Sequence, residues 1–257
     1  MATIHEIASD LDAILHTDAV PDYGNALNGM QVENRAAIAK VAAAVDARTR
    51  TIRAAIQAGA NLLLVHHGLF WGGLMPLRGA HLRRIRLLLD HDIALYSAHL
   101  PLDAHPELGN NVLLARELGL SPDTGFARYK TVDIGVAGTT QIPTAELLER
   151  ATRFAARYGG AVRHSGFDAE RVTKLWAICT GAGASAETLQ EAAARGIDTL
   201  IVGEGPHWTA IDADELGITV IYAGHYATET LGVQALATYV ANRYGLSWQF
   251  IDVPTGL

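Results

Sequence analysis

The sequence predicts an α/β fold of two similar three-layer lobes with mainly parallel sheets. Three observations carry this. Helical and strand periodicities alternate along nearly all of the 257 residues. One strand, Leu62-Leu63-Leu64-Val65, is apolar on every position, as a strand covered on both faces must be. The joints are short, and 25 Gly against 8 Pro suits tight strand–helix turns. The lobes are expected at residues 1–130 and 131–257, either as a structural duplication or as one continuous domain.

The elements are expected in this order. A first helix starts at Thr3: Thr3 and Glu6 have capping-box spacing, and Ile4, Ile7, Leu11 and Ile14 follow its period. Pro21, Gly24 and Gly29 mark a loop. A strand over 38–45 leads to a helix over 48–58, stopped by Gly59. The apolar strand follows, then a helix over 81–90, a strand over 93–97 and a helix over 107–118. A connecting unit comprises strand 131–137, helix 144–158 and the stretch around Val162. Strand 174–179, helix 185–195, strand 199–202, a short helix 207–215, strand 219–223 and a last helix 225–244 complete the second half. Each half thus reads β-α-β-α-β, an order whose short crossovers favour parallel pairing.

Composition narrows the function. Hydrophobic residues at 49% and charged ones at 18% exclude a disordered chain. Cys179 is the single cysteine, so no internal disulfide and no cysteine-cluster metal site can form. The net charge of −7 argues against a nucleic-acid partner, and the densest basic stretch, His81 to Arg86, reads as a solvated helix face. No apolar run is long enough for a membrane span, and the N-terminus lacks a signal-peptide pattern. A soluble, cytoplasmic protein is expected.

Ligands of parallel α/β sheets bind beyond the carboxyl ends of strands. Four predicted strand ends carry histidine or carboxylate: His66-His67-Gly68, His99-Leu-Pro-Leu-Asp103, Gly203-Glu204-Gly205-Pro206-His207 and Gly224-His225-Tyr-Ala-Thr-Glu229. These residue types bind divalent metals. His225 and Glu229, four apart at a helix start, project from one face. His99 and Asp103 share that separation, but Pro101 predicts a loop there. His66 and His67 are adjacent, and a turn at Gly68 would let both rings reach one cavity, more naturally serving two ions than one. Simpler roles exist for single members: Glu229 as a helix cap, Asp103 as a turn residue. His5, His16, His81, His91, His105 and His164 are expected on solvated faces.

Thr180-Gly-Ala-Gly-Ala-Ser185-Ala looks like a dinucleotide turn, but its third glycine position is Ala186 and no Walker lysine is present. Glu187 stands where a nucleophile elbow needs glycine, so Ser185 reads as a helix N-cap. The turn leaves a metal-independent nucleotide-binding module as a minor alternative.

The stretches Asn28-Gly-Met-Gln31-Val, Leu64-Val-His66-His67-Gly68-Leu-Phe-Trp71, Ser97-Ala-His99-Leu-Pro-Leu-Asp103-Ala-His105 and Gly224-His225-Tyr226-Ala-Thr-Glu229 resemble the Nif-three-like dinuclear-metal-centre proteins. Bacterial members of that family are described as GTP cyclohydrolase I type 2 homologues. The motifs stand in family order over positions 28–229. The resemblance implies two α/β lobes facing a metal-containing cleft, assembled as a toroidal homo-hexamer. It implies two divalent ions per subunit, held by His66, His67, Asp103, His225 and Glu229. The chain between Lys130 and Lys174 is too short for the domain inserted in longer members. Zinc, iron, manganese, cobalt or nickel would suit such ligands. The expected function is a dinuclear metal-dependent hydrolase of a small molecule, with ring opening of GTP or a related cyclic amide or amidine as the reaction. His99, near Asp103 but outside the five-ligand set, is the expected catalytic proton shuttle. The alternative is a non-enzymatic metal-binding ring or partner-binding regulatory protein.

Overall fold

The computed structural model describes residues 2–71 and 73–257. In chain order the elements are α1 (Ile4–Leu15), β1 (Gly29–Val32), β2 (Lys40–Asp46), α2 (Thr49–Gln57), β3 (Leu62–His67), α3 (Gly79–Asp90), β4 (Ala94–Ser97) and α4 (Leu100–Asp103). There follow α5 (Asn110–Glu117), β5 (Thr124–Tyr129), β6 (Val132–Pro143), α6 (Thr144–Ala156), β7 (Arg163–Ser165), β8 (Val172–Cys179) and α7 (Ala186–Ala194). The chain ends with β9 (Thr199–Val202), α8 (His207–Glu215), β10 (Thr219–Tyr222), α9 (His225–Thr228), α10 (Thr230–Tyr244) and β11 (Ser247–Phe250). Two compact units result: Met1–His105 with Gly232–Val253, and Pro106–Leu231 with Pro254–Leu257. No described helix is long and apolar enough to cross a membrane.

The first unit is built on a five-stranded sheet of order β1-β4-β3-β2-β11. Strands β11, β2, β3 and β4 run parallel, and β1 joins β4 antiparallel. Leu62 to Val65 are fully buried, as an all-apolar central strand requires. Register fixes what stands at the carboxyl edge: Asp46 pairs with His67, and Val65 with Ser97, one residue short of the turn into His99. The α1 capping box is formed, with the Thr3 hydroxyl accepting from Glu6 N at 3.3 Å. Ile4, Ile7, Leu11 and Leu15 are its buried face.

The second unit holds a six-stranded sheet of order β5-β6-β8-β9-β10-β7. Its parallel heart is β8, β9 and β10, flanked by antiparallel β6 and β5 on one side and β7 on the other. Cys179, Val202 and Tyr222 lie in register, so the turns at Gly181, Gly203 and Gly224 leave the sheet side by side. One face packs Leu114, Leu118, Leu147, Phe154 and Trp176, and the other Phe126, Leu189, Leu200 and Val220. Ser185 is the N-cap of α7, accepting from Thr188 N at 3.2 Å.

Three expectations are corrected. Leu100–Asp103 is a helical turn and not a loop: Pro101 lies in its first turn, where a missing N–H costs nothing. His81 is not on a solvated face. It is 5% exposed, and its ring packs edge-on against Phe70 at 5.5 Å, because the buried stripe of α3 runs through His81 and Leu88. The helix expected over 225–244 is broken at Glu229, the C-cap of α9. Strands β1, β5, β7 and β11 are short or polar and carry no clear period in the sequence.

Asn111 ties α5 to the Gly181 turn. Buried, it donates from Nδ2 to the Ile134 carbonyl at 2.6 Å and accepts the Thr180 amide at Oδ1 at 2.8 Å. Asn111→Ala orphans both backbone groups. It is expected to lower stability by about 1–3 kcal/mol, read as a drop in thermal midpoint.

Candidate metal centre

In the first unit, three imidazoles gather at the carboxyl edge of the sheet. The ring centroids of His66 and His67 are 4.8 Å apart, those of His66 and His99 5.0 Å, and those of His67 and His99 5.7 Å. One donor atom from each lies within 4.8 Å of the others. Trp71 packs edge-on against His99 at 4.7 Å and against His67 at 5.6 Å, which limits the rotation of both rings.

Each ring is held from behind by an oxygen. His66 Nδ1 donates to the Ala98 carbonyl at 2.8 Å. His67 Nδ1 donates to Asp46 Oδ1 at 2.9 Å. His99 Nδ1 donates to Asp22, at 2.9 Å from Oδ1 and 3.1 Å from Oδ2. A carbonyl and an ionised carboxylate only accept, so each Nδ1 carries its proton and Nε2 is the lone-pair atom of the neutral ring. His66 is fully buried, and its Nε2 faces Asp103 Oδ2 at 3.4 Å, with Asp103 only 9% exposed. A neutral imidazole lone pair and a carboxylate oxygen repel at that distance. A cation or a proton between them removes the repulsion, and a divalent ion satisfies both as ligands. The site therefore fits a metal.

Asp22 is itself held. It accepts from the Leu100 amide at 3.1 Å and from Asn28 Nδ2 at 2.8 Å. Burial works to raise its pKa, but the bond and charge of His99, with the Asn28 and Tyr23 donors, bring it below the usual aspartate value. Asn28 Oδ1 also accepts the His99 amide at 2.7 Å, so the first sequence motif positions the His99 backbone.

The second unit repeats the chemistry. His225 Nδ1 donates to Glu204 Oε1 at 2.8 Å, and its Nε2 faces Glu229 Oε2 at 3.1 Å. Glu229 is 4% exposed. Burial pulls the His225 pKa down, but the bonds and charges of Glu229 and Glu204 outweigh it and push the value up to about 9. The glycine turn explains itself here. Gly181 has φ +63°, and a Cβ on it would stand 2.1 Å from Glu229 Oε1. Its amide donates to Thr228 Oγ1 at 3.1 Å. The turn seats Glu229, and its amides at 180 and 181 are engaged within the unit.

The family model described as DUF34/NIF3 (NGG1p interacting factor 3) matches residues 2–255. The chain belongs to the DUF34/NIF3 family. Within it, a protein of Deinococcus radiodurans named GTP cyclohydrolase 1 type 2 homolog is 42% identical over 252 residues, covering 98% of this chain and 94% of that one. A protein of the same name from Pyrococcus abyssi is 41% identical over 257 residues, 98% of each. Among solved structures, protein ybgI, of unknown function, superposes with TM-score 0.88 at 35% identity over 99% of this chain and 100% of that one. TTHA1606 from Thermus thermophilus superposes with TM-score 0.82 at 38% identity, covering 98% and 99%. The DUF34/NIF3 fold is thereby placed on this chain, which carries histidine and glutamate groups that could hold a metal ion.

Of the expected site residues, the first unit brings His66, His67 and His99 within reach of one another, with Asp103 facing His66. His225 and Glu229 also meet. Three supporting carboxylates were not assigned: Asp22, Asp46 and Glu204. Asp46 ends β2, so the strand-end rule applied to every strand would have found it. Glu204 stood in a noted motif without a role, and Asp22 lies in a Pro-Asp-Tyr-Gly loop with no strand to point to it. His207, in the same motif as Glu204, is exposed at the start of α8.

The pKa of His225 has a testable sign. In metal-free protein the folded value, about 9, exceeds the ordinary 6.5. The linked stability is present below about 6.5 and is lost as pH rises through about 9. The urea midpoint of chelated protein is expected to fall across that window, and Glu229→Gln is expected to flatten the fall.

Proposed function

We propose that the protein is a dinuclear metal-dependent hydrolase in which His66, His67, Asp103, His225 and Glu229 hold two divalent ions. The carrying observation is the common orientation: His66, His67 and His225 each have Nδ1 bonded to a fixed oxygen, which leaves Nε2 available as the ligand atom. Asp103 and Glu229 supply negative charge that favours divalent cations. Bound there, such ions supply electrophilic polarisation of a carbonyl, amidine or phosphoryl group and acidify water.

His99 is the proposed acid–base residue. Its Nε2 accepts a proton from the attacking water, and Asp22 stabilises the imidazolium through Nδ1. The same proton is then delivered to the nitrogen that leaves as the C–N bond breaks. This order suits hydrolytic opening of a cyclic amide or amidine, and the names of the relatives favour a purine nucleotide such as GTP as the first substrate to try. We further infer a cytoplasmic homo-hexamer, acting on a small molecule.

Metal analysis of protein loaded with zinc, manganese or iron is expected to give two ions per chain. A panel of purine nucleotides and cyclic amides is expected to show turnover that stops on chelation while the fold persists. Chelation that dissolves the assembly, with no turnover on any substrate, would favour a structural or regulatory metal. His99→Ala is expected to lower turnover about 10²–10⁴-fold with two ions retained, and loss of an ion would make His99 a ligand. Glu204→Gln is expected to weaken metal binding about 10–100-fold, measured by competition with a chromogenic chelator.

A further inference from the structure

In the second unit, four arginines line a depression of about 420 Å³ that has no part in the metal chemistry: Arg116, Arg150, Arg153 and Arg157. Arg150, Arg153 and Arg157 form one stripe of α6 and its C-cap, at helical spacings of three and four, and Arg116 comes from the last turn of α5. Glu117 also lines it, and Glu146, Glu149 and Glu117 pair with Arg150, Arg153 and Arg157, so the guanidinium donors are dense while the positive excess is small on a chain of net charge −7.

Two of the guanidiniums are fixed. Arg150 donates to the Leu118 carbonyl at 2.7 Å and to Glu146, so it caps the end of α5. The close approach requires Gly119, at φ +73°, where a Cβ would stand 2.6 Å from Arg150 Nη1. Arg157 bonds Glu117 and lies over the Phe154 ring at 5.1 Å. The other two are loosely engaged. Arg116 makes a 3.4 Å bond to the Glu107 carbonyl. Arg153 stands 3.7 Å from Glu149 with the two side chains 69% and 73% exposed, a pairing of little strength. The fixed guanidiniums define the walls, and the two exposed ones have N–H donors free to pair with phosphate oxygens. The floor offers no open aromatic face, because Phe154 is buried.

Within the second unit, the patch lies at the end of α5 opposite the Gly181 turn. Asn111, at the start of α5, holds the Thr180 amide beside the Gly181 turn. Glu117 is at the other end of the helix, about 9 Å along its axis.

We propose that this depression of the second unit is a binding site for a small polyphosphate group, recognised by its charge and several oxygens. The proposal does not rest on the hydrolase reading, and its test does not use activity.

Full-length chelated protein, freed of chelator, is titrated with tripolyphosphate, pyrophosphate and orthophosphate by calorimetry at low salt. Tripolyphosphate is expected to bind one per chain, at least tenfold tighter than orthophosphate, and to weaken as ionic strength rises. Arg116→Gln with Arg153→Gln is expected to weaken it at least tenfold while leaving the ligand-free thermal midpoint unchanged. Arg83→Gln with Arg86→Gln, on exposed positions of α3, removes the same charge elsewhere and is expected to change nothing. Three results would overturn the proposal: no binding at millimolar tripolyphosphate, equal affinity for orthophosphate, or equal weakening by the two double variants.

Discussion

The candidate site depends on one arrangement: an imidazole clamped at Nδ1 by an oxygen acceptor, with Nε2 turned to a buried carboxylate. His66 shows it most plainly, between the Ala98 carbonyl and Asp103. His225 shows it again between Glu204 and Glu229. At His225 the bonds and charges of Glu229 and Glu204 outweigh burial and favour a second proton on the ring. On the proposed function, a divalent ion would displace that proton and be held by the same atoms. Proton and metal thus compete for one position.

The scaffold supplies this geometry through strand register. In the first unit Asp46 lies across from His67 because β2 and β3 run parallel and in step. A one-residue slip would turn His67 to the other face. In the second unit the three parallel strands end together, and the small residues that follow let the α9 turn lie against them. Gly203 accommodates the His225 backbone, and Gly181 the Glu229 carboxylate, at distances no side chain could share. These two glycines are therefore explained at the sheet ends, where chain must pass close to chain.

The sequence made legible what depends on local pattern. The α1 capping box, the all-apolar β3, the Ser185 cap and the histidines at strand ends are all short-range signals. Edge strands were not legible: β7 has three residues, two of them exposed, and β11 alternates without a fully buried position. Pro101 misled because its helix-breaking effect vanishes in a first turn. His81 misled because its neighbours Arg83 and Arg86 are exposed while the helix turns His81 inward. The supporting carboxylates depend on contacts between distant segments, Asp22 with His99 and Glu204 with His225, which no local period encodes. The arginine depression escaped for the same reason, since Arg116 and the α6 stripe meet only through helix packing.

Nitrogen-15 NMR of the histidine side chains during zinc titration tests the central claim most directly. The account expects Nε2 of His66, His67 and His225 to move to metal-bound shifts while each Nδ1 keeps its proton and its bond to oxygen. Binding through Nδ1, or rings that stay unchanged when zinc is in excess, would contradict it.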